Sequence, residues 1–205
     1  GRGRQAPAEH VQRLAVRFVG VGRFGMLVGQ RLQFRRDAAL YQGWFDYLQE
    51  LGLPNFRKFG GNTAFTEGWG LYAESLGKDL GVYESPYDYF GYLQNELWRA
   101  IRLVVDTGIH SKGWSREEGI RYMMEAYGDQ EGAATSEVER YCGWPGQACA
   151  YKVGHNEWVR LREKAKTTLG SKFDIKGFHD TALAAGGVPL SVLERIVDGW
   201  VATQA

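Results

Sequence analysis

Residues 89–110, YFGYLQNELWRAIRLVVDTGIH, decide the fold. At 100° per residue, Leu93, Leu97, Ala100, Ile101, Val104 and Val105 form one apolar stripe, and Glu96, Arg99, Asp106 and His110 gather on the other side. The spacing predicts a long amphipathic helix. Asp106 and His110 stand four residues apart on it, so the carboxylate is expected to orient the imidazole and raise its pKa.

The same period continues on both sides. In FTEGWGLYAESLGKDLG, residues 65–81, Phe65, Trp69, Tyr72, Leu76 and Leu80 share a face, and Glu67, Leu71 and Glu74 fall on another. Glycines inside such a helix cost about 1 kcal/mol each against alanine, so they point to close approach by another element. Ser115 with Glu118 is a capping box that starts a helix through Tyr127, and Ser136 with Glu139 offers a further start. The Pro145-Gly146 pair breaks the chain before a helix from about Gln147 to Leu169, with Gly170 as its C-cap. FDIKGFHDTALAAGG and PLSVLERIVDGW close the chain as two helices, the second with Ser191 and Glu194 in capping-box spacing. No alternating run of useful length occurs, so the fold class expected is all-α and multi-helical.

Composition agrees with a packed core. The chain has 205 residues, 44% of them hydrophobic, and is rich in Trp, Tyr and Phe, which excludes disorder as the dominant state. No stretch of about 18 apolar residues is present to span a bilayer, and no signal peptide is seen. Cys142 and Cys149, spaced C-x6-C with no second pair, indicate neither a zinc knuckle nor a disulfide framework and are read as packing residues.

The net charge of +1 conceals an asymmetry. Residues 1–36 hold eight Arg and one acid, Glu9, and Lys is absent before Lys58. Residues 1–52 are therefore read as an atypical Arg/Gly-rich segment, foreign or frame-shifted, and residues 53–205 as the helical part. The arginines also suit a nucleic-acid arm, but no stacking platform accompanies them and the rest of the chain is net acidic, so this reading ranks last.

Three places carry groups suited to chemistry, each with a plainer alternative. Glu67, near a helix start between Phe65 and Trp69, is a metal ligand or a complement to the helix dipole. His110, ending its helix behind Asp106, is a proton donor or a stabilising C-terminal cation. Tyr151, after the Pro-Gly break, stabilises an oxyanion or packs.

The segments NFRKFGGNTAFTEGWGLYAESLG (55–77), ELWRAIRLVVDTGIHSKGWS (96–115), SEVERYCGWPGQACAYKVG (136–154) and FDIKGFHDTALAAGGVPL (173–190) closely resemble the C-terminal part of the bacterial domain of unknown function 885 family. The resemblance runs from about Leu53 to Trp200. Members of that family resemble helical zinc metallopeptidases. The resemblance implies Glu67 as the third zinc ligand, His110 (with Asp106 behind it) and Tyr151 reaching the developing oxyanion, and Arg140 or Arg102 receiving a substrate carboxylate. It also implies a peptide substrate, and relatives in the family are often exported to the periplasm.

The chain departs from the family at one point. The His-Glu-x-x-Pro-Gly-His-His segment expected before LPNFRKFGG is absent, since no histidine lies between His10 and His110. Two zinc ligands and the general base are missing with it. The expectation is the C-terminal part of a peptidase, inactive alone, with exposed apolar faces that favour self-association or pairing with the missing N-terminal half. The alternative is a non-catalytic helical interaction module.

Overall fold

The computed structural model describes residues 52–204 other than Val82 and Glu84. The Arg-rich segment and the boundary expected at residue 52 thus lie almost wholly outside the described residues. Eight α-helices are present, with no strand among the described residues: α1 (Asn55–Phe59), α2 (Thr63–Asp79), α3 (Pro86–Lys112), α4 (Arg116–Tyr127), α5 (Glu131–Gly143), α6 (Ala150–Leu169), α7 (Ile175–Leu183) and α8 (Leu190–Gln204). The all-α architecture read from the sequence is the observed one.

Local chemistry sets most of the boundaries. Asn62 accepts from the Phe65 amide to begin α2, and Ser85 and Asp88 form a capping box at α3, with Pro86 at its first position. Gly113 (φ 72°) ends α3 in the left-handed region that disfavours any side chain. The Ser115/Glu118 capping box starts α4 as expected.

Two expected starts differ. Ser136 lies inside α5, where its hydroxyl donates to the Gly132 carbonyl one turn back, and α5 begins at Glu131. At α8 the Pro189 carbonyl accepts from the Val192 and Leu193 amides, so the helix starts one residue before Ser191. Glu194 is then free to pair with Arg160 and Lys164 of α6.

Helices α2 and α6 form the longest contact, and their crossing carries the molecule. Gly68 meets Gly154 there: a Cβ on Gly154 would lie 1.8 Å from the Ala64 carbonyl oxygen, and one on Gly68 2.4 Å from the Gly154 Cα. Only paired glycines allow this approach. One core spreads from the crossing, with Phe65, Trp69 and Tyr72 of α2 against Trp158 and Leu161 of α6, Phe178 and Leu183 of α7, and Leu193 and Val197 of α8. A second core joins α3, α4 and α5 through Ile101, Val105, Ile120, Met123, Val138 and Tyr141.

The stripe on α3 is only half used. Ile101 and Val105 are buried, while Leu93 and Leu97 keep 42% and 48% of their surface exposed and Phe90 and Val104 are also open. The cysteines are both free. Cys142 is exposed, contrary to the packing role expected of it, because α5 turns that position outward. Cys149 is partly covered, and burial, with the Asp106 charge nearby, pushes its thiol up to about 11.

Candidate functional site

The glycine crossing has a chemical consequence. Glu67 immediately precedes Gly68, and Tyr151 lies one turn before Gly154, so the close contact of the two backbones brings the carboxylate and the phenol together across α2 and α6. The Glu67 charge acts directly on the Tyr151 phenol. Burial first, and the Glu67 charge second, raise the Tyr151 pKa, so the phenol stays protonated at neutral pH and donates.

Helix α3 passes over the same tyrosine. The Arg102 guanidinium lies 5.0 Å and that of Arg99 5.6 Å from the centre of the Tyr151 ring. Both arginines come from the polar face of α3, spaced so that they stack one turn apart. From α5, Glu137 reaches in to bind Arg102 at 2.9 Å and Arg140 at 3.0 Å, and it accepts the Tyr141 hydroxyl at 2.7 Å. Burial opposes its ionisation, but the two guanidinium groups and the Tyr141 hydrogen bond outweigh that and hold the Glu137 carboxyl below its usual range.

Four of the residues expected from sequence, Glu67, Tyr151, Arg102 and Arg140, thus fall in one cluster. Arg140 is braced at both ends, with Nη1 on Gln147 Oε1 at 2.6 Å and Nη2 on Glu137. Arg102 is 8% exposed, and its Nε has no acceptor. The same holds for Arg99 Nε. Each orphaned donor of this kind costs about 1–3 kcal/mol unless a ligand or water answers it.

His110 and Asp106 stand apart from the cluster. Along α3, eight residues separate His110 from Arg102, about 12 Å of rise. Asp106 does not hold the imidazole, because its carboxylate is taken by the Gly146 amide at 3.1 and 3.0 Å. This bond ties the Pro145-Gly146 turn to α3 and fixes where α6 begins. His110 Nε2 donates to the Tyr141 carbonyl at 2.9 Å instead, answering one of the last carbonyls of α5. Both residues hold the elements that carry Tyr151, Glu137 and Arg140.

Sequence reading missed Arg99, Glu137 and Gln147 as members of the cluster. Arg99 was visible on the polar face of α3, but nothing local revealed that α5 supplies a shared carboxylate. A second polar group continues the seam: Asn95 donates to Glu74 at 2.7 Å, and Lys152 pairs with Glu96 beside the buried His155. Burial and the Lys152 charge keep His155 below the usual imidazole range.

Among the described residues, no group of three or more His, Cys, Asp or Glu is placed to hold a metal ion. The described residues by themselves therefore do not make up a zinc centre.

The chain matches the model of a family described as a bacterial protein of unknown function (DUF885) over residues 41–197, and it belongs to that family. Its fold matches the crystal structure of a candidate lipoprotein from Colwellia psychrerythraea, with a TM-score of 0.74 and 46% identity over 78% of this chain and 27% of that one. A candidate lipoprotein of unknown function from Shewanella oneidensis matches with a TM-score of 0.69 and 23% identity, over 85% of this chain and 34% of that one. The chain therefore spans about a third or less of the solved relatives it matches. No functionally curated protein is significantly similar to it. No described helix is long and apolar enough to cross a membrane.

Proposed function

We propose that the chain is the C-terminal part of a zinc-dependent peptidase and supplies one wall of its substrate cleft. The observation that carries this reading is the Glu67–Tyr151 pair, a carboxylate and a protonated phenol brought together across two helices beside Arg102. When a peptide carbonyl is attacked, negative charge grows on its oxygen. Tyr151 is the donor for that oxygen, and the Arg102 guanidinium beside it adds positive potential in a poorly solvated site. Arg102 and Arg140 lie where a substrate carboxylate would be received.

Zinc would polarise the carbonyl and activate water. Glu67 is the ligand proposed from this chain, and the other ligands and the general base belong to polypeptide outside it. Asp106 and His110 act as positioning residues, holding the start of α6 and the end of α5. The Colwellia relative, described as a candidate lipoprotein, supports an exported parent protein.

The test is peptide hydrolysis by the longer gene product, with metal content measured on the same sample. Hydrolysis that falls at least a hundredfold in a Tyr151→Phe variant, with zinc retained, supports the reading. A longer product that binds no metal and cleaves no peptide would sink it.

A second reading, a non-catalytic interaction module, is favoured by the open apolar row Phe90, Leu93, Leu97 and Val104 on α3. It predicts a stable complex with the missing half or with a second copy, and no hydrolysis under any condition.

A further inference from the structure

The two apolar cores share no residue. Helices α2, α6, α7 and α8 build the first, and α3, α4 and α5 build the second. The second group is one continuous arm, residues 86–143, set between α2 and α6. Two short connectors, residues 80–85 and 144–149, join it to the first group, and each holds a glycine in the left-handed region, Gly81 (φ 67°) and Gly146 (φ 79°). Of the arm helices, α3 carries the contact with α2 and α6.

The seam between the groups is polar. Asn95 of α3 donates to Glu74 of α2 at 2.7 Å, Lys152 of α6 pairs with Glu96 of α3 at 2.5 Å, and Arg99 and Arg102 lie over the Tyr151 ring. Lys78 of α2 sits 5.2 Å from the centre of the Tyr89 ring, near the first connector. Arg99 Nε and Arg102 Nε are buried on the same side of α3 without an acceptor. Separating an apolar interface exposes oily surface, whereas a polar one exchanges its partners for water at small net cost, so relative motion is the ordinary expectation across such a seam.

The attachments fix the axis. The first connector ends at Pro86, where α3 begins. The second is pinned to α3 by the Asp106 carboxylate on the Gly146 amide, and its Ala148 packs in the core of the arm. Pro86 and Asp106 stand twenty residues apart on α3, about 30 Å of rise. Both attachments thus fall on one helix, and rotation about its length is the motion they leave free.

We infer that the arm α3–α5 rolls about the α3 axis as a gate, and that the Glu96–Lys152 and Asn95–Glu74 pairs latch it closed. Asn95, Glu96, Arg99 and Arg102 occupy one side of α3, so a roll that parts the latches also lifts both guanidinium groups off Tyr151. Glu137 and Arg140 travel with Arg102, since all three belong to the arm. What the gate admits rests on the peptidase reading: a peptide carbonyl reaches Tyr151 when the arm is open and is held beside Arg102 when it closes. The motion itself does not rest on that reading.

The test reads distance. Cys142, exposed on α5, and a Lys166→Cys substitution at an exposed position of α6 take spin labels in a Cys149→Ala background. Dilution with unlabelled chain confines pulsed electron resonance to separations within one molecule. The expected result is two separations. Lys152→Met raises the minor population at least threefold, salt at about 1 M raises it in the parent by screening the latch, and Glu96→Lys combined with Lys152→Glu returns it toward the parent value. A label pair inside the arm, Cys142 with Glu125→Cys, keeps one separation throughout, which distinguishes rolling from unfolding. A single separation that neither salt nor Lys152→Met alters would overturn the inference, as would an equal change inside the arm. Hydrolysis is read separately on the longer gene product. A rolling arm in a product that cleaves nothing keeps the gate and contradicts the peptidase reading, whereas a fixed arm in an active product does the reverse.

Discussion

Gly154 rests against Gly68 so closely that a Cβ on it would fall 1.8 Å from the Ala64 carbonyl oxygen, and this contact sets Tyr151 opposite Glu67. The site and the helix crossing are one structural feature. Replacing Gly154 with Ala must push α6 away from α2, which costs about 3 kcal/mol by the usual penalty for overpacking. Thermal unfolding should fall by roughly 6–12 °C at this size. A melting point within 2 °C of the parent would show that the crossing tolerates a side chain.

Acid should weaken the fold through His179. Tyr72 is joined to His179 Nε2 at 2.9 Å inside the main core, and the Arg162 guanidinium lies 5.7 Å from the centre of the same ring. Burial keeps the Tyr72 phenol protonated, so it can donate to a neutral imidazole. Burial, then the Arg162 charge, lowers the His179 pKa to about 4. In the unfolded chain the group titrates near its ordinary value of about 6.5, so the unfolded state binds more protons between those limits. Stability is whole above about pH 6.5 and declines as pH falls toward 4, by roughly 3 kcal/mol in all. Urea midpoints across this range check it, and a His179→Leu variant should show a flatter acid limb. An equally steep limb in that variant would assign the effect to other groups.

Glu137 should matter more than its polar surface suggests. Glu137→Gln removes the carboxylate shared by Arg102 and Arg140 and leaves two guanidinium groups facing each other. A partly buried pair broken on one side costs about 2–4 kcal/mol. Because the Glu137 carboxyl is held below its ordinary range, its contribution is present at neutral pH and is lost as pH falls through the lowered value. Denaturant unfolding of the variant at pH 7 measures this, and a loss below 0.5 kcal/mol would mean the network is slack.

The open row on α3 predicts association. Leu93 and Leu97 sit on a face with no described neighbour over them, so the chain alone should shift toward dimers or larger species at tens of micromolar. Leu93→Glu with Leu97→Glu should return it to monomer in light scattering. A monomer at every concentration without the substitutions would show that the row is harmless.

The helices were legible because their signals are local. The period on α3, the Ser115/Glu118 box and the glycine at 170 each act within a turn. The Ser136 start failed because a serine followed by a glutamate also occurs mid-helix, where the hydroxyl turns back to the Gly132 carbonyl. The site was legible in part. Residue type and family resemblance pointed to Glu67, Tyr151, Arg102 and Arg140, and the fold brings these four together. The expected Asp106–His110 pair failed, since a turn 40 residues away offered Asp106 the Gly146 amide in a buried position. Long-range partners of that kind, like Glu137 for Arg102, leave no trace in helical spacing. The half-empty α3 stripe is the converse: the periodicity was right, yet its outer half has no cover among the described residues.

The central claim is tested most directly by the Glu67→Gln variant of the longer gene product, assayed for peptide hydrolysis and bound zinc beside the parent. The account predicts that both fall together, hydrolysis by at least a thousandfold, while helical content and melting temperature stay near the parent values. Full hydrolysis with Glu67 removed would contradict it.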